Sequence, residues 1–240
     1  MTRYDASASR RPAELDYTNA LDRPVATFFN FVYAWMFCGL GVTATAAWLT
    51  SRNPEFVYAI SGGGMSIVFL LISLACIIGI QRVAPRVNPT VGLMLFLGYS
   101  AFIGVILSGI FLAFSLPELG RIFAITAGTF AGASIYGFVT KRDLTTVGSI
   151  ALMALWGLIL ASVVNVFFGS SQMSWIISFV GVGVVVALVA WETQDLRNLA
   201  VSLADDPQMA QRYAVVGALV LYVSFINLFM FLLRLLGNRE

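Results

Sequence analysis

Seven long hydrophobic runs constrain this chain more than any other feature of its sequence. They lie at about 26–50, 57–80, 91–114, 122–139, 147–168, 173–191 and 213–236. Most approach the ~20 residues that a helix needs to cross the hydrocarbon core of a bilayer. All seven prolines lie outside these runs, which predicts largely unbroken helices. A β-barrel is disfavoured because barrel strands alternate in polarity. The sequence therefore predicts an all-α membrane protein built as a seven-helix transmembrane bundle in contact with lipid.

Residues 1–24 are polar and lack the apolar core of a cleavable signal peptide. We interpret them as a mobile cytosolic tail, which leaves 25–240 as the transmembrane domain. If seven helices cross the membrane, the tail and every second connection lie on one side and contain ten of the 14 basic residues. The positive-inside rule then predicts a cytoplasmic N-terminus and an extracytoplasmic C-terminus.

The composition excludes several classes of protein. Charged residues make up 11% of the chain, against roughly 25% in a soluble domain. The net charge of +2 is too small and too scattered for a nucleic-acid-binding surface. The chain has no histidine, no cluster of zinc ligands and no pair of intramembrane aspartates, so we expect neither a bound cofactor nor enzymatic activity. Lys141, the only lysine, lies in a polar connection, which excludes a retinal Schiff base within the bundle. Cys38 and Cys76 lie inside apolar runs, where we expect free thiols.

Two carboxylates follow the sixth run and are the first candidates for a functional site. Glu192 and Asp195 are three residues apart and share a helical face at the expected cytoplasmic boundary. Burial favours a neutral carboxyl and a nearby arginine favours a charged one, so a guanidinium from Arg82 or Arg86 would make a pH-sensitive latch. Calcium could bind transiently at the two acids. The alternative is that both acids mark a solvated helix end and pair with Arg197.

Polar residues in the last run predict that the seventh helix lies at the centre of the bundle. Ser224, Asn227 and Arg234 fall on one broad face, with Ser224 near the bilayer midplane. Asn227 and Asn165 are expected to make hydrogen bonds between helices, and Arg234 to extend toward the interface. Glycines recur in the second, fourth and sixth runs and predict close helix packing there: Gly62 to Gly64, Gly128, Gly132, Gly181 and Gly183.

Four stretches resemble the Bax inhibitor-1 family, also called TMBIM or YccA-like, of seven-helix membrane proteins. They are Tyr136 to Leu144 (YGFVTKRDL), Asn165 to Phe167 (NVF), Glu192 to Gln194 (ETQ) and Leu221 to Phe229 (LYVSFINLF). The resemblance runs from the first span to the C-terminus. It implies a calcium-leak activity gated by pH through two aspartates, one on the sixth helix and one on the seventh, which bond to an arginine on the second helix in the closed state.

The resemblance carries over to this chain with one departure. Glu192 matches the first acid, whereas Ser224 stands where the second aspartate would be. Either Arg82 or Arg86 aligns with the arginine of the second helix. We therefore expect a pH-sensitive calcium or cation leak in a bacterial inner membrane. The alternative is the role of the YccA-like branch, whose type member binds and restrains a membrane-anchored ATP-dependent protease; the tail would then be the contact.

Overall fold

The computed structural model describes residues 10–61 and 65–237, and this part of the chain consists of helices joined by short connections, without a β-strand. The helices are α1 (Arg10–Ser51), α2 (Pro54–Ser61), α3 (Met65–Val83), α4 (Pro89–Leu107), α5 (Ile110–Ala113), α6 (Leu116–Val139), α7 (Thr145–Phe168), α8 (Ser171–Ser202) and α9 (Pro207–Leu236), with a 3-10 turn (Ala84–Arg86) between α3 and α4. Seven segments of this part are long and apolar enough to span a membrane. The predicted seven-helix bundle is confirmed.

The first span begins earlier than the hydrophobic run alone predicted. α1 starts at Arg10 and continues through Pro24 into the span Arg23–Ser51, so no break in the helix separates residues 10–24 from the span. The expectation that every proline lies outside the spans is therefore wrong for Pro24. Pro24 thus lies in the interior of α1, where it has no backbone N–H to donate to the preceding turn. Of the predicted mobile tail, residues 1–9 lie outside the described residues.

The second hydrophobic run contains α2 and α3, which lie before and after residues 62–64. The candidate span there is Val68–Arg86, which ends six residues beyond the run. α2 begins at Pro54, a residue suited to a first helical turn, and the Asn53 side chain accepts a hydrogen bond from the backbone N–H of Phe56 at 3.2 Å. The glycines at 62–64, which were predicted to pack closely, lie outside the described residues.

α9 lies at the centre of the bundle, as predicted from its polar face. It packs against α1, α4, α6 and α8 and against the 3-10 turn. In the apolar 18-residue stretch that defines each span, 61% of the residues are buried in α9, compared with 11% in α7. α7 packs mainly on α8. Val215, Leu219 and Tyr222 of α9 are fully buried. A helix in this position can present side chains to several neighbours at once.

Two glycines bring α6 and α7 into close contact with α8. A Cβ at Gly137 of α6 would lie 2.0 Å from the carbonyl oxygen of Ala190, and one at Gly148 of α7 would lie 2.2 Å from the Trp191 ring. A larger residue would have to move the backbone of Ala190 in the first case and the Trp191 ring in the second, so glycine allows the close approach. Both contacts fall within two residues of Glu192, which fixes that part of α8 against its neighbours.

The glycines predicted to pack closely have mixed outcomes. Gly181 does pack tightly, because a Cβ there would meet the Phe231 ring at 2.7 Å. The prediction is wrong for Gly128, Gly132 and Gly183, where a Cβ would meet nothing within 4 Å. All three are exposed on the outer surface of the bundle. Spacing alone did not distinguish glycines that face another helix from those that face lipid.

Candidate functional site

The carboxylate of Glu192 and the hydroxyl of Ser224 meet between α8 and α9. Ser224 Oγ donates a hydrogen bond to Glu192 Oε2 at 2.7 Å. Ser224 is buried and Glu192 is partly buried. The bond joins residues that are 32 positions apart in the sequence. The structure thus brings together two residues that were predicted from the sequence as candidate site residues.

Glu192 lies well inside α8 rather than at its end. The sixth hydrophobic run ends at residue 191, but α8 continues to Ser202, ten residues or ~15 Å beyond Glu192. Ser224 lies 12 residues before the end of the central helix α9. A carboxylate in this position is desolvated by the surrounding helices, so its interaction with a donor is stronger than at a solvated surface.

The two residues after Glu192 contact different parts of the bundle. Thr193 Oγ1 shares a hydrogen bond of 3.0 Å with Ser134 Oγ of α6. Gln194 Oε1 accepts a hydrogen bond from Leu144 N and its Nε2 donates one to Arg142 O, both at 2.8 Å. We call this double contact the Gln194 clasp. It fixes the connection between α6 and α7, so three consecutive residues of α8 bind three separate elements.

Two further groups of hydroxyls connect the helices around the site. Tyr33 OH of α1 shares a hydrogen bond with Ser134 Oγ, which extends the Thr193 contact to a third helix. Tyr222 OH of α9 shares a hydrogen bond of 2.6 Å with Thr43 Oγ1 of α1, which also donates to Ser100 O of α4. No role was predicted for these residues from the sequence. Their hydroxyls within apolar helices were the available signal, because such groups bond between helices in lipid.

The structure does not join the remaining ionisable candidates to Glu192. Asp195 is exposed and makes no hydrogen bond or ion pair with another described residue. Arg82 and Arg86 are exposed at the end of α3 and in the 3-10 turn, and neither forms an ion pair within the described part of the chain. Arg197 lies over the Phe138 ring at 5.5 Å rather than against an acid. The predicted latch with an arginine and the alternative pairing with Arg197 are therefore both absent from this conformation.

The two asparagines that were predicted to bond between helices, Asn165 and Asn227, differ in their contacts. Asn165 joins the end of α7 to the start of α8, because its Nδ2 donates to Ser174 Oγ at 2.7 Å and its Oδ1 accepts from Ser170 N at 3.2 Å. Asn227 instead lines a cavity and makes no hydrogen bond to another described side chain or backbone group, so the interhelical bond expected for it is not formed. Tyr99 lines the same cavity.

Two adjoining cavities open the bundle around α9. The first has a volume of about 420 Å³ and is bounded by α3, α4, α7 and α9 from Tyr222 to Arg234. The second, of about 690 Å³, lies among the ends of α7, α8 and α9 and shares Ser162, Val166 and Arg234 with the first. We call the two together the vestibule. It extends along α9 for 12 residues, or ~18 Å, and reaches the level of Ser224.

No resident metal site is formed by the described residues. They contain no group of three or more His, Cys, Asp or Glu side chains placed to hold an ion. Near the site, Asp143 of the α6–α7 connection accepts hydrogen bonds from Thr145 Oγ1 at 2.6 Å and Thr145 N at 2.9 Å. These bonds, the hydroxyl's first, hold the pKa of Asp143 below its usual range. The exposed carboxylate thus stabilises the start of α7.

Comparison with known proteins extends over nearly the whole chain. The family profile described as "Inhibitor of apoptosis-promoting Bax1" matches residues 25–240. The inner membrane protein YbhL of Escherichia coli K12 is 38% identical over 216 residues, which cover 89% of this chain and 92% of the relative. An uncharacterized protein of Borreliella burgdorferi is 40% identical over 214 residues, with the same coverage. A Rickettsia prowazekii protein is 35% identical over 240 residues, covering 94% of this chain and 99% of the relative.

Proposed function

The chain belongs to the Bax inhibitor-1 family of membrane proteins, and from this premise we propose that it is a pH-sensitive leak channel for calcium and other cations. The observation that carries the proposal is the hydrogen bond between Glu192 and Ser224 inside the bundle. An ionisable side chain in a membrane span costs free energy, so its presence there marks a candidate functional residue. Glu192 lies where two helices of the bundle meet, and its charge changes with proton concentration.

The vestibule supports a path that Glu192 would control. Its open space extends from the C-terminal end of α9 to the level of Ser224, roughly the middle of the membrane. In our proposal, the Glu192–Ser224 bond and the close contacts of Gly137 and Gly148 with α8 close the path on the other side of this level. In this proposal the conformation is the closed state. Protonation of Glu192 removes the charge that holds Ser224 Oγ and changes the balance between closed and open states.

Calcium would be a transported ion rather than a bound one. Ca²⁺ in a stable site takes six to eight oxygen ligands. Glu192 and Ser224 supply three oxygens between them, and Asp195, one turn away on α8, is exposed and forms no hydrogen bond with them. A site this poor in ligands attracts a cation without retaining it, as conduction requires. With one carboxylate instead of two, the attraction is weaker and the titration is that of a single group.

We further propose that the protein lies in a bacterial inner membrane with its N-terminus in the cytoplasm. The first part is supported by the E. coli relative, which is an inner membrane protein. The second is supported by the concentration of Lys and Arg in the N-terminal segment and in alternate connections. The vestibule then opens to the outside, and the Gln194 clasp lies toward the cytoplasm.

Calcium flux into proteoliposomes that contain a calcium dye tests the channel proposal. We expect flux that changes between about pH 6 and 8 in the native protein, and flux independent of pH in Glu192→Gln, which has no titratable carboxyl. Asp195→Asn is the matched control, because it removes an exposed acid one turn away, and should keep the pH dependence. Absence of flux from correctly folded protein, or pH dependence that survives Glu192→Gln, would refute the proposal.

A second candidate function is the regulation of an integral-membrane ATP-dependent protease without ion conduction. Two observations favour it. Ser224 replaces the second acid of the family pattern, and α1 begins at Arg10, 13 residues or ~20 Å before the span. A helix that extends this far from the membrane offers a contact for a partner. Affinity capture from native membranes tests it: removal of residues 1–22 should abolish recovery of a protease, and unchanged recovery would exclude this contact.

A further inference from the structure

A groove of about 480 Å³ lies between α1 and α6 on the lipid-facing side of the bundle. Both helices pack against α8 and α9, but they make few direct contacts with each other. Phe225 of α9 lies at the bottom of the groove, and most of its walls are apolar side chains of α1 and α6, such as Phe37, Phe130 and Ile135. The volume is within the range of ~300–1,000 Å³ typical of ligand pockets.

The polar groups of the groove bond mainly to each other. Tyr33 OH and Ser134 Oγ share a hydrogen bond across it, and Ser134 Oγ bonds in turn to Thr193. Phe29 and Phe138 also meet across it, edge to face, with ring centroids 5.1 Å apart. The remaining surface suits a hydrocarbon chain better than an ion or a polar solute, because burying unpaired polar groups against it would cost free energy.

The length of the groove corresponds to one leaflet of a bilayer. Its α6 wall extends from Ala127 to Val139, 12 residues or ~18 Å along the helix. Its α1 wall extends from Ala26 to Phe37, a similar distance. Half of a hydrocarbon core of ~30 Å is ~15 Å. Since Val139 is the last residue of α6, the groove ends at the membrane surface and not in the middle of the bundle.

Basic residues lie at the end of the groove that reaches the surface. The Arg197 guanidinium lies over the Phe138 ring at 5.5 Å, and Phe138 lines the groove. Lys141 and Arg142 follow α6 directly and are exposed. Asp195 is near in sequence, but residues two apart on a helix do not face the same way.

The other nearby acid, Asp143, is bonded to Thr145. Asp143 keeps its negative charge in this bond, so three basic residues (Arg197, Lys141 and Arg142) stand against two acids (Asp143 and Asp195), and the net charge of +1 at this end complements an anionic headgroup.

We propose that the groove binds one anionic phospholipid, with an acyl chain between α1 and α6 and the headgroup phosphate at Arg197. Guanidinium groups bind phosphate with favourable geometry, and basic residues at a membrane surface attract anionic lipids. The bound chain fills the space that α1 and α6 leave between them. The site is separate from the Glu192–Ser224 contact and does not depend on ion conduction.

Lipid binding by the purified, delipidated full-length protein tests the proposal. Phosphatidylglycerol and phosphatidylcholine are titrated separately, and bound lipid is counted by native mass spectrometry. We expect one tightly bound phosphatidylglycerol and weaker binding of phosphatidylcholine. Arg197→Gln should weaken phosphatidylglycerol binding about fivefold, which is the effect expected of one basic residue near an anionic membrane surface. It should leave phosphatidylcholine binding unchanged. Arg52→Gln is the matched control, because Arg52 also lies over an aromatic ring, that of Trp48, but at the other end of α1.

Filling the groove tests the position of the acyl chain. Ala131 lines the groove and is exposed, so Ala131→Phe occupies the space without disturbing the core. We expect it to abolish the tight site, whereas Ala44→Phe, at an exposed position of α1 outside the groove, keeps it. Equal binding of the two lipids, binding unaffected by Ala131→Phe, or a dimer that occupies this face in place of lipid would each overturn the proposal.

Discussion

The Gln194 clasp gives the sharpest test of how the site is built. Gln194→Met keeps the length and helix propensity of the side chain but removes both of its hydrogen bonds. The Leu144 N–H is buried and would lose its acceptor, which costs ~1–3 kcal/mol. The Arg142 carbonyl lies in an exposed residue and can bond to water, so its loss adds about 0.5–1 kcal/mol. We expect a total destabilisation of about 1.5–4 kcal/mol.

Thermal unfolding in detergent measures this loss. For a chain of this size each kcal/mol lowers Tm by roughly 2–4 °C, so the variant should melt about 3–16 °C below the native protein. Gln194→Glu should have an intermediate Tm, since a carboxylate still accepts from Leu144 but faces the Arg142 carbonyl. Gln81→Met is the control, because Gln81 is exposed on α3. If Gln194→Met and Gln81→Met melt within about 1 °C of each other, the clasp does not stabilise the bundle and the reasoning fails.

Two further predictions concern packing and pH. Gly137→Ala should destabilise the protein by ~1–3 kcal/mol, because its Cβ would meet the Ala190 carbonyl oxygen. Gly132→Ala should stabilise it by up to ~1 kcal/mol through helix propensity, since its Cβ meets nothing. Thermal unfolding in which both variants shift Tm in the same direction would contradict this. Asp143 has a folded pKa below its unfolded value, so its contribution is complete above pH ~4 and is lost as pH falls through the folded pKa. The Tm difference between native protein and Asp143→Asn should therefore shrink on acidification, and a difference constant with pH would count against that contribution.

The number of spans could be read from the sequence because each one depends on its own composition. A run such as 147–168 is apolar enough to leave water whichever helix it packs against, and α7 follows it closely (Thr145–Phe168). Helix ends were less predictable. α8 continues eleven residues past the last apolar residue of its run, since a polar stretch such as Glu192 to Gln194 remains helical when other helices supply its hydrogen bonds.

The two principal residues of the site were also named from the sequence, but their contact was not determined by it. Glu192 and Ser224 were singled out by a motif and by the scarcity of acids in the spans. Whether they meet depends on the rotation and depth of α8 and α9 relative to each other, and these result from packing along the whole length of both helices. The same packing leaves Arg82 and Arg86 on the surface, although their charge made them plausible partners.

The sequence by itself determined the class of protein, the number of membrane spans, the family pattern and the few polar residues able to carry function. The tertiary structure alone decided which face of each helix turns inward. It brought Gly137 and not Gly132 against α8, and it placed Gln194 on the α6–α7 connection. The physical reason is that lipid is as apolar as the interior of the bundle, so a helix that is hydrophobic on every side shows no periodicity that distinguishes a partner helix from the membrane.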